Sequence, residues 1–272
     1  MDMAVGALHF WPFHWSLSTT LSPPPPPPPP RPSSSSCCFP QLSLSPVDKT
    51  LQHIKTSGVI ACLRAPSAEL AMEAAHAAFT GGISVLEIVM STPGVLEVIQ
   101  QLVQDHPTRI IGAGTVLNAK DAKNAINAGA TFLMSPAMVM DIMDNVQSSE
   151  TLYIPGVMTP TEILSAYNAG AKVVKVYPVS ALGGTRYISA LNKPFSHIPV
   201  VASQGITTDL IGEYIAQGAS SVVLSDAIFN KEAMGQRNFN IIYKLARLAA
   251  FEGSEAVERY MQDEKVQSSL VL

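Results

Sequence analysis

Between residues 58 and 224 the chain carries eight short apolar runs, each separated from the next by a stretch with helical spacing. They cover residues 58–63, 85–90, 109–113, 132–135, 152–155, 173–177, 199–202 and 221–224. The runs are continuous rather than alternating, which suits strands covered on both faces. Strands that alternate with helices build a parallel sheet, either open and doubly wound or closed as a (β/α)₈ barrel. Glycine punctuation separates the two. A helix ends in Ala-Gly or Gln-Gly just before a strand at Gly129, Gly170 and Gly218, with Gly81 and Gly82 a looser copy. Glycine there closes a helix by taking the left-handed conformation. The copies recur at near-equal intervals, each spanning two strand–helix units, and four such quarters favour the closed barrel. The pair Gly112 and Gly114 lacks the third glycine of a dinucleotide-binding turn.

The barrel is expected over residues 47–258 as a single domain, with a polar C-terminal tail over 259–272. Residues 1–46 stand apart. Asp2 is their one acid and Arg31 their one strong base, and Pro23 to Pro30 form an unbroken proline run followed by Ser33 to Ser36. Proline fixes φ and lacks a backbone donor, so this segment is expected to stay outside any helix or sheet. Acid-poor and Ser-rich at the N-terminus is the composition of an organelle transit peptide, plastid import especially. The expected location is therefore the chloroplast stroma; a disordered extension without an address is the alternative. A net charge of −4 with no block of Lys or Arg argues against a nucleic-acid partner. No apolar run reaches the ~18 residues of a membrane span. Cys37, Cys38 and Cys62 are too few and badly placed for a disulfide framework, as expected of a soluble protein in a reducing compartment.

Barrel chemistry gathers at the C-terminal ends of the strands. Two ionisable residues lie inside apolar runs there. In Val-Val-Lys-Val-Tyr, period two turns Val174 and Val176 toward the helices and Lys175 and Tyr177 toward the interior. Desolvation favours the neutral amine that Schiff-base formation needs. A lysine paired with a carboxylate for register is the alternative. Glu87, flanked by Leu86 and Ile88, points into the same interior, and a glutamate beside an amine can shuttle protons. Thr115, Ser135, the Ser203-Gln204-Gly205 turn and the Ser225-Asp226 pair occupy further strand ends, although Asp226 also fits a helix cap. Cys62 reads as a small core residue. His76 and His197 show no metal-ligand spacing.

These residues carry a resemblance. The run from Gly170 through Lys175 and Tyr177 to Gly183 resembles the Schiff-base signature of the bacterial 2-keto-3-deoxy-6-phosphogluconate / 4-hydroxy-2-oxoglutarate aldolases. Gly82-Ile-Ser-Val-Leu-Glu87-Ile resembles that family's other signature, and Gly112-Ala-Gly-Thr115-Val-Leu and Pro155-Gly-Val-Met-Thr-Pro160 are further similar motifs in the same order. The resemblance implies a class I aldolase on a (β/α)₈ barrel, a homo-oligomer (commonly a trimer), with no cofactor and no metal. It implies a small 2-oxo acid as substrate. On that pattern Lys175 forms the imine, Glu87 is the general acid/base, Thr115 holds the pyruvate unit, and Tyr177 replaces a family Phe. Many relatives place an arginine four residues after the glutamate, where this chain has Ser91; others carry it after the first strand, where Arg64 stands, so Arg64 is assigned to the substrate carboxylate. The phosphate loops depart from the pattern. Relatives show Thr-Gly-Gly after strand seven, against Ser203-Gln204-Gly205 here, and Gly-Ser after strand eight, against Ser225-Asp226. Ser203, Gly205 and Asp226 are thus expected to face the distal part of the substrate, with a phosphorylated substrate disfavoured. Two rivals remain from sequence: a barrel that binds a 2-oxo acid without turnover, and a metal-dependent lyase, for which no clustered His and carboxylate ligands are visible.

Overall fold

The computed structural model describes residues 44–146 and 149–270; the expected transit segment lies outside the described residues apart from its last three positions. The order opens α1 (Pro46–Ser57), β1 (Val59–Leu63), α2 (Ala68–Thr80), β2 (Val85–Val89), α3 (Val95–Asp105), β3 (Ile110–Gly114) and α4 (Ala119–Asn127). It continues with β4 (Phe132–Met134), α5 (Met140–Val146), β5 (Leu152–Ile154), β6 (Gly156–Val157), α6 (Pro160–Asn168) and β7 (Val174–Val176). It closes with α7 (Thr185–Phe195), β8 (Val200–Ser203), α8 (Ile211–Ala216), β9 (Ser221–Leu224), α9 (Lys231–Gly235) and α10 (Phe239–Leu270).

All strand pairs are parallel, in the order β5-β4-β3-β2-β1-β9-β8-β7-β6. The two ends of that order, β5 and β6, are consecutive in the chain and separated by Pro155 alone, so the sheet is a nearly closed barrel. A proline cannot donate to a ladder, which is why the expected single strand over 152–155 is interrupted and resumes as β6. The Pro155 carbonyl still accepts from the Lys175 amide at 2.8 Å.

The helix starts follow from their caps. Ser45, Ser67, Asn118 and Thr159 each accept from a backbone amide in the first turn, and Thr159 with Glu162 completes a capping box. Gly129, Gly170 and Gly218 hold φ near +100° just past their helices, as the punctuation predicts. The polar stretch expected as a tail from residue 259 is instead a continuation of α10 to Leu270. Ala246, Ala249 and Ala256 on α10 are buried, and Val257 and Tyr260 pack on the core, which carries the helix across the expected boundary. Among the described residues no helix is long and apolar enough to cross a membrane.

Two apolar layers result. The larger lies between strands and helices and includes Leu86, Ile88, Val174 and Val176. The smaller fills the bore with Ile60, Val85, Phe132, Met134, Leu152, Ile154, Val173, Val201 and Val223, and Ile54 of α1 joins it from below. Phe132 fits because β3 offers no side chain at Gly112: a Cβ there would lie 2.5 Å from the ring. The apolar plug therefore ends where the inward-facing positions turn polar, and that level is the floor of the site.

Candidate active site

Period two along each strand sets what reaches the mouth of the bore. Above Ile60 of β1 come Cys62 and, just past the strand, Arg64; above Val85 of β2 come Glu87 and Val89; above Val173, just before β7, come Lys175 and, just past the strand, Tyr177. These side chains line one cavity of about 780 Å³, together with Thr115, Pro136, Ser203, Gln204, Gly205, Ser225 and Asp226. That volume lies within the range of small-molecule sites. Every residue assigned to the site from sequence lines this cavity: Lys175, Glu87, Thr115, Arg64, Tyr177, Ser203, Gly205 and Asp226.

Along the ring β2-β1-β9-β8-β7, Glu87 and Lys175 sit four steps apart, so they meet across the bore. Lys175 Nζ lies 4.0 Å from Glu87 Oε1, with side-chain exposures of 8% and 1%. At those exposures neither charge has bulk water to solvate it, and burying such groups is costly. Glu87 Oε2 is buried and has no hydrogen-bond donor. The Lys175 ammonium position also lies 5.4 Å from the centre of the Tyr177 ring, which closes one side of it. Space for the Glu87 carboxyl comes from Gly114, opposite which a Cβ would fall 1.6 Å from Oε1.

The rim is polar. Arg64 donates from Nη1 to Ser91 Oγ at 2.6 Å, so the arginine after β1 and the serine at the alternative arginine position are in contact. Thr115 has φ 57° and Gln204 φ 87°, both left-handed, a conformation rare for residues with a side chain. Gln204 Oε1 accepts from Ser180 Oγ, which folds its side chain over the turn between β8 and α8. Gly205 has φ 72°, and a Cβ there would meet Ser180 Oγ at 2.5 Å. Among the described residues no group of three or more His, Cys, Asp or Glu side chains could hold a metal ion.

Cys62, expected as a small core residue, does pack against the bore cluster, but it also reaches the site. It is only partly buried and stands in the cavity wall, where burial and then the neighbouring Glu87 carboxyl push its thiol well above the ordinary range. It is therefore a neutral, poorly nucleophilic wall residue. Its signal was the alternation itself, because residues 60, 62 and 64 share the inward face. The left-handed backbone of Gln204 has no sequence signal.

A lysine and a glutamate facing each other in the mouth of a parallel α/β barrel define a class of site, one whose chemistry runs through an amine served by a carboxyl. Comparison with known proteins agrees. The family model for KDPG and KHG aldolase matches residues 50–245. The KHG/KDPG aldolase of Escherichia coli K12 is 28% identical over 202 residues, covering 74% of this chain and 94% of the relative. The 2-dehydro-3-deoxy-phosphogluconate aldolase of Pseudoalteromonas atlantica is 36% identical over 146 residues, covering 54% and 68%. Among solved structures, a KDPG aldolase from Legionella pneumophila, with pyruvate captured as a covalent carbinolamine intermediate, superposes with a TM-score of 0.69 at 28% identity, covering 74% of this chain and 97% of that one. The chain belongs to the KDPG and KHG aldolase family.

Proposed function

We infer that this chain is a class I, Schiff-base aldolase, a carbon–carbon lyase that cleaves or forms a C–C bond in a 2-oxo acid and releases pyruvate. The observation that carries this reading is the buried Lys175 amine 4.0 Å from the Glu87 carboxyl at the floor of the cavity. The neutral amine adds to the C2 carbonyl, and Glu87 returns a proton to the oxygen to give a carbinolamine. Loss of water leaves an imine. The C4 hydroxyl then gives its proton to Glu87, the C3–C4 bond breaks, and its electron pair moves into the imine to form an enamine. Protonation at C3 and hydrolysis release pyruvate and free the lysine. Thr115 holds the pyruvate unit, Tyr177 shields the imine, and Arg64, braced on Ser91, takes the substrate carboxylate as a charge-assisted fork.

Ser203, Gly205 and Asp226 face the aldehyde half. A phosphate fits poorly there, because the Asp226 carboxylate within ~5 Å of a dianion would repel it. Gln204 also occupies a turn where glycine would let backbone amides approach an anion. Pyruvate release should therefore be measured across paired phosphorylated and unphosphorylated 4-hydroxy-2-oxo acids. The unphosphorylated member of each pair is expected to show the higher kcat/KM. Equal turnover would overturn the selectivity, and no pyruvate from any member would overturn the aldolase reading.

We count β5 and β6 as one strand broken at Pro155, which makes the barrel (β/α)₈. We read the assembly as a homotrimer, supported by the family resemblance and by exposed Leu117 after β3, Met140 at the start of α5 and Met158 after β6. Light scattering should return three times the chain mass; a monomer would refute this.

A further inference from the structure

We propose that Ser135, backed by Tyr153, is a positioning residue that holds Thr115 in its strained conformation on the cavity wall. The proposal rests on the reading above, in which Thr115 holds the pyruvate unit. Thr115 is β-branched, yet its φ of 57° is one that only glycine adopts freely. Such a backbone persists only where its surroundings over-determine it, and here the hydrogen bonds on both sides do so. Before it, the Gly114 carbonyl accepts from the Met90 amide at 2.9 Å. After it, the Val116 amide donates to the Met134 carbonyl at 3.1 Å, and the Val116 carbonyl accepts from Ser135 Oγ at 2.6 Å.

Ser135 does not act alone. The Val139 amide donates to the Tyr153 hydroxyl at 3.1 Å, Tyr153 donates to Ser135 Oγ at 3.1 Å, and Ser135 donates onward to Val116. The chain of donors runs one way across the tops of β5, β4 and β3. Ser135 is fully buried and Tyr153 nearly so, and in such surroundings each bond polarises the next. Neither side chain lines the cavity. Pro136, next to Ser135, does line it, so the cycle with Thr115 separates the two routes by which Ser135 could reach a ligand.

The test is a double-mutant cycle with two readouts. Ser135→Ala and Tyr153→Phe are made alone and in a Thr115→Gly background, where the backbone can keep its φ without strain and the hydroxyl is gone. Pyruvate affinity is read by titration calorimetry, and KM and kcat by pyruvate release. Ser135→Ala is expected to weaken pyruvate binding and raise KM by about tenfold, the worth of one lost hydrogen bond, with kcat nearly unchanged. Tyr153→Phe should act in the same direction and less. In the Thr115→Gly background neither should change affinity further. An equal loss in both backgrounds would mean a general structural role and overturn the proposal, as would unchanged affinity in the single variants. If Ser135→Ala fails to fold, Tyr153→Phe completes the cycle alone. Because calorimetry needs no turnover, wild-type protein that binds pyruvate but releases none would sink the aldolase reading and leave the cycle readable.

Discussion

Replacing Lys175 by methionine is expected to lower pyruvate release by a factor on the order of 10⁴, about 5.5 kcal/mol of transition-state stabilisation. It should also abolish the adduct that borohydride traps between pyruvate and the protein. Methionine matches the length of the lysine stem and fills the same buried position, so the loss would report the amine rather than a cavity. Lys175→Arg keeps a cation opposite Glu87 but supplies no nucleophile, and it should lose the adduct as completely. The two variants separate electrostatics from covalent chemistry: methionine leaves the Glu87 carboxyl without a counter-charge at 4.0 Å, arginine does not. In wild-type protein the reduced adduct, located by peptide mass mapping, should fall on Lys175. An adduct on another lysine, or Lys175→Arg retaining more than about a hundredth of wild-type turnover, would end the assignment. Pyruvate binding with no adduct at all would leave a barrel that binds 2-oxo acids without converting them.

The placement of that lysine was legible because it depends on strand periodicity alone. Once residues 173–177 are a strand covered on both faces, the alternation fixes which side chains enter the bore, and the same holds for Glu87 between Leu86 and Ile88. Depth along the bore was not legible. Ile60 and Cys62 both point inward, yet Ile60 belongs to the apolar plug and Cys62 to the cavity wall. Their difference is set by register between neighbouring strands, which places Cys62 level with Glu87 and Glu87 level with Gly112. No local pattern in one strand encodes that level. The complementary pairs were hidden for the same reason: Phe132 over Gly112, and the Glu87 carboxyl over Gly114, join residues on different strands. The contact between Arg64 and Ser91 could be anticipated only as a compensating pair of positions; that their side chains meet is a property of the β1 and β2 ends. The strain at Thr115 and Gln204 had no signal, since both are residue types that ordinarily avoid positive φ. The helical course of residues 259–270 is not signalled by their polar composition, because they continue a helix anchored earlier by Ala246, Ala249 and Ala256.

Gly114→Ala should disable the enzyme by displacing the Glu87 carboxyl, without replacing any side chain of the site. A Cβ at residue 114 would lie 1.6 Å from Glu87 Oε1, 2.3 Å from Cδ and 2.5 Å from Cγ, far inside van der Waals contact. The backbone itself raises no objection, because Gly114 does not have positive φ. The carboxyl must therefore swing out of its place opposite Lys175 into the cavity. The expected cost in turnover is about 10²- to 10³-fold, the size of a lost general acid/base, with a fall in thermal stability from the overlap. Glu87→Ala alone should cost a similar factor in turnover while leaving an unfilled space beside Gly114. Combining the two distinguishes steric displacement from damage to the strand. The double variant Glu87→Ala/Gly114→Ala has room for the new methyl, so its melting temperature should rise above that of Gly114→Ala, while its turnover stays as low as that of Glu87→Ala. If Gly114→Ala keeps wild-type turnover, the carboxyl is not needed where it stands. If instead the double variant melts no higher than Gly114→Ala, glycine at this position serves β3 itself, and the reciprocal fit between strands two and three is not what holds the proton shuttle in line with the amine.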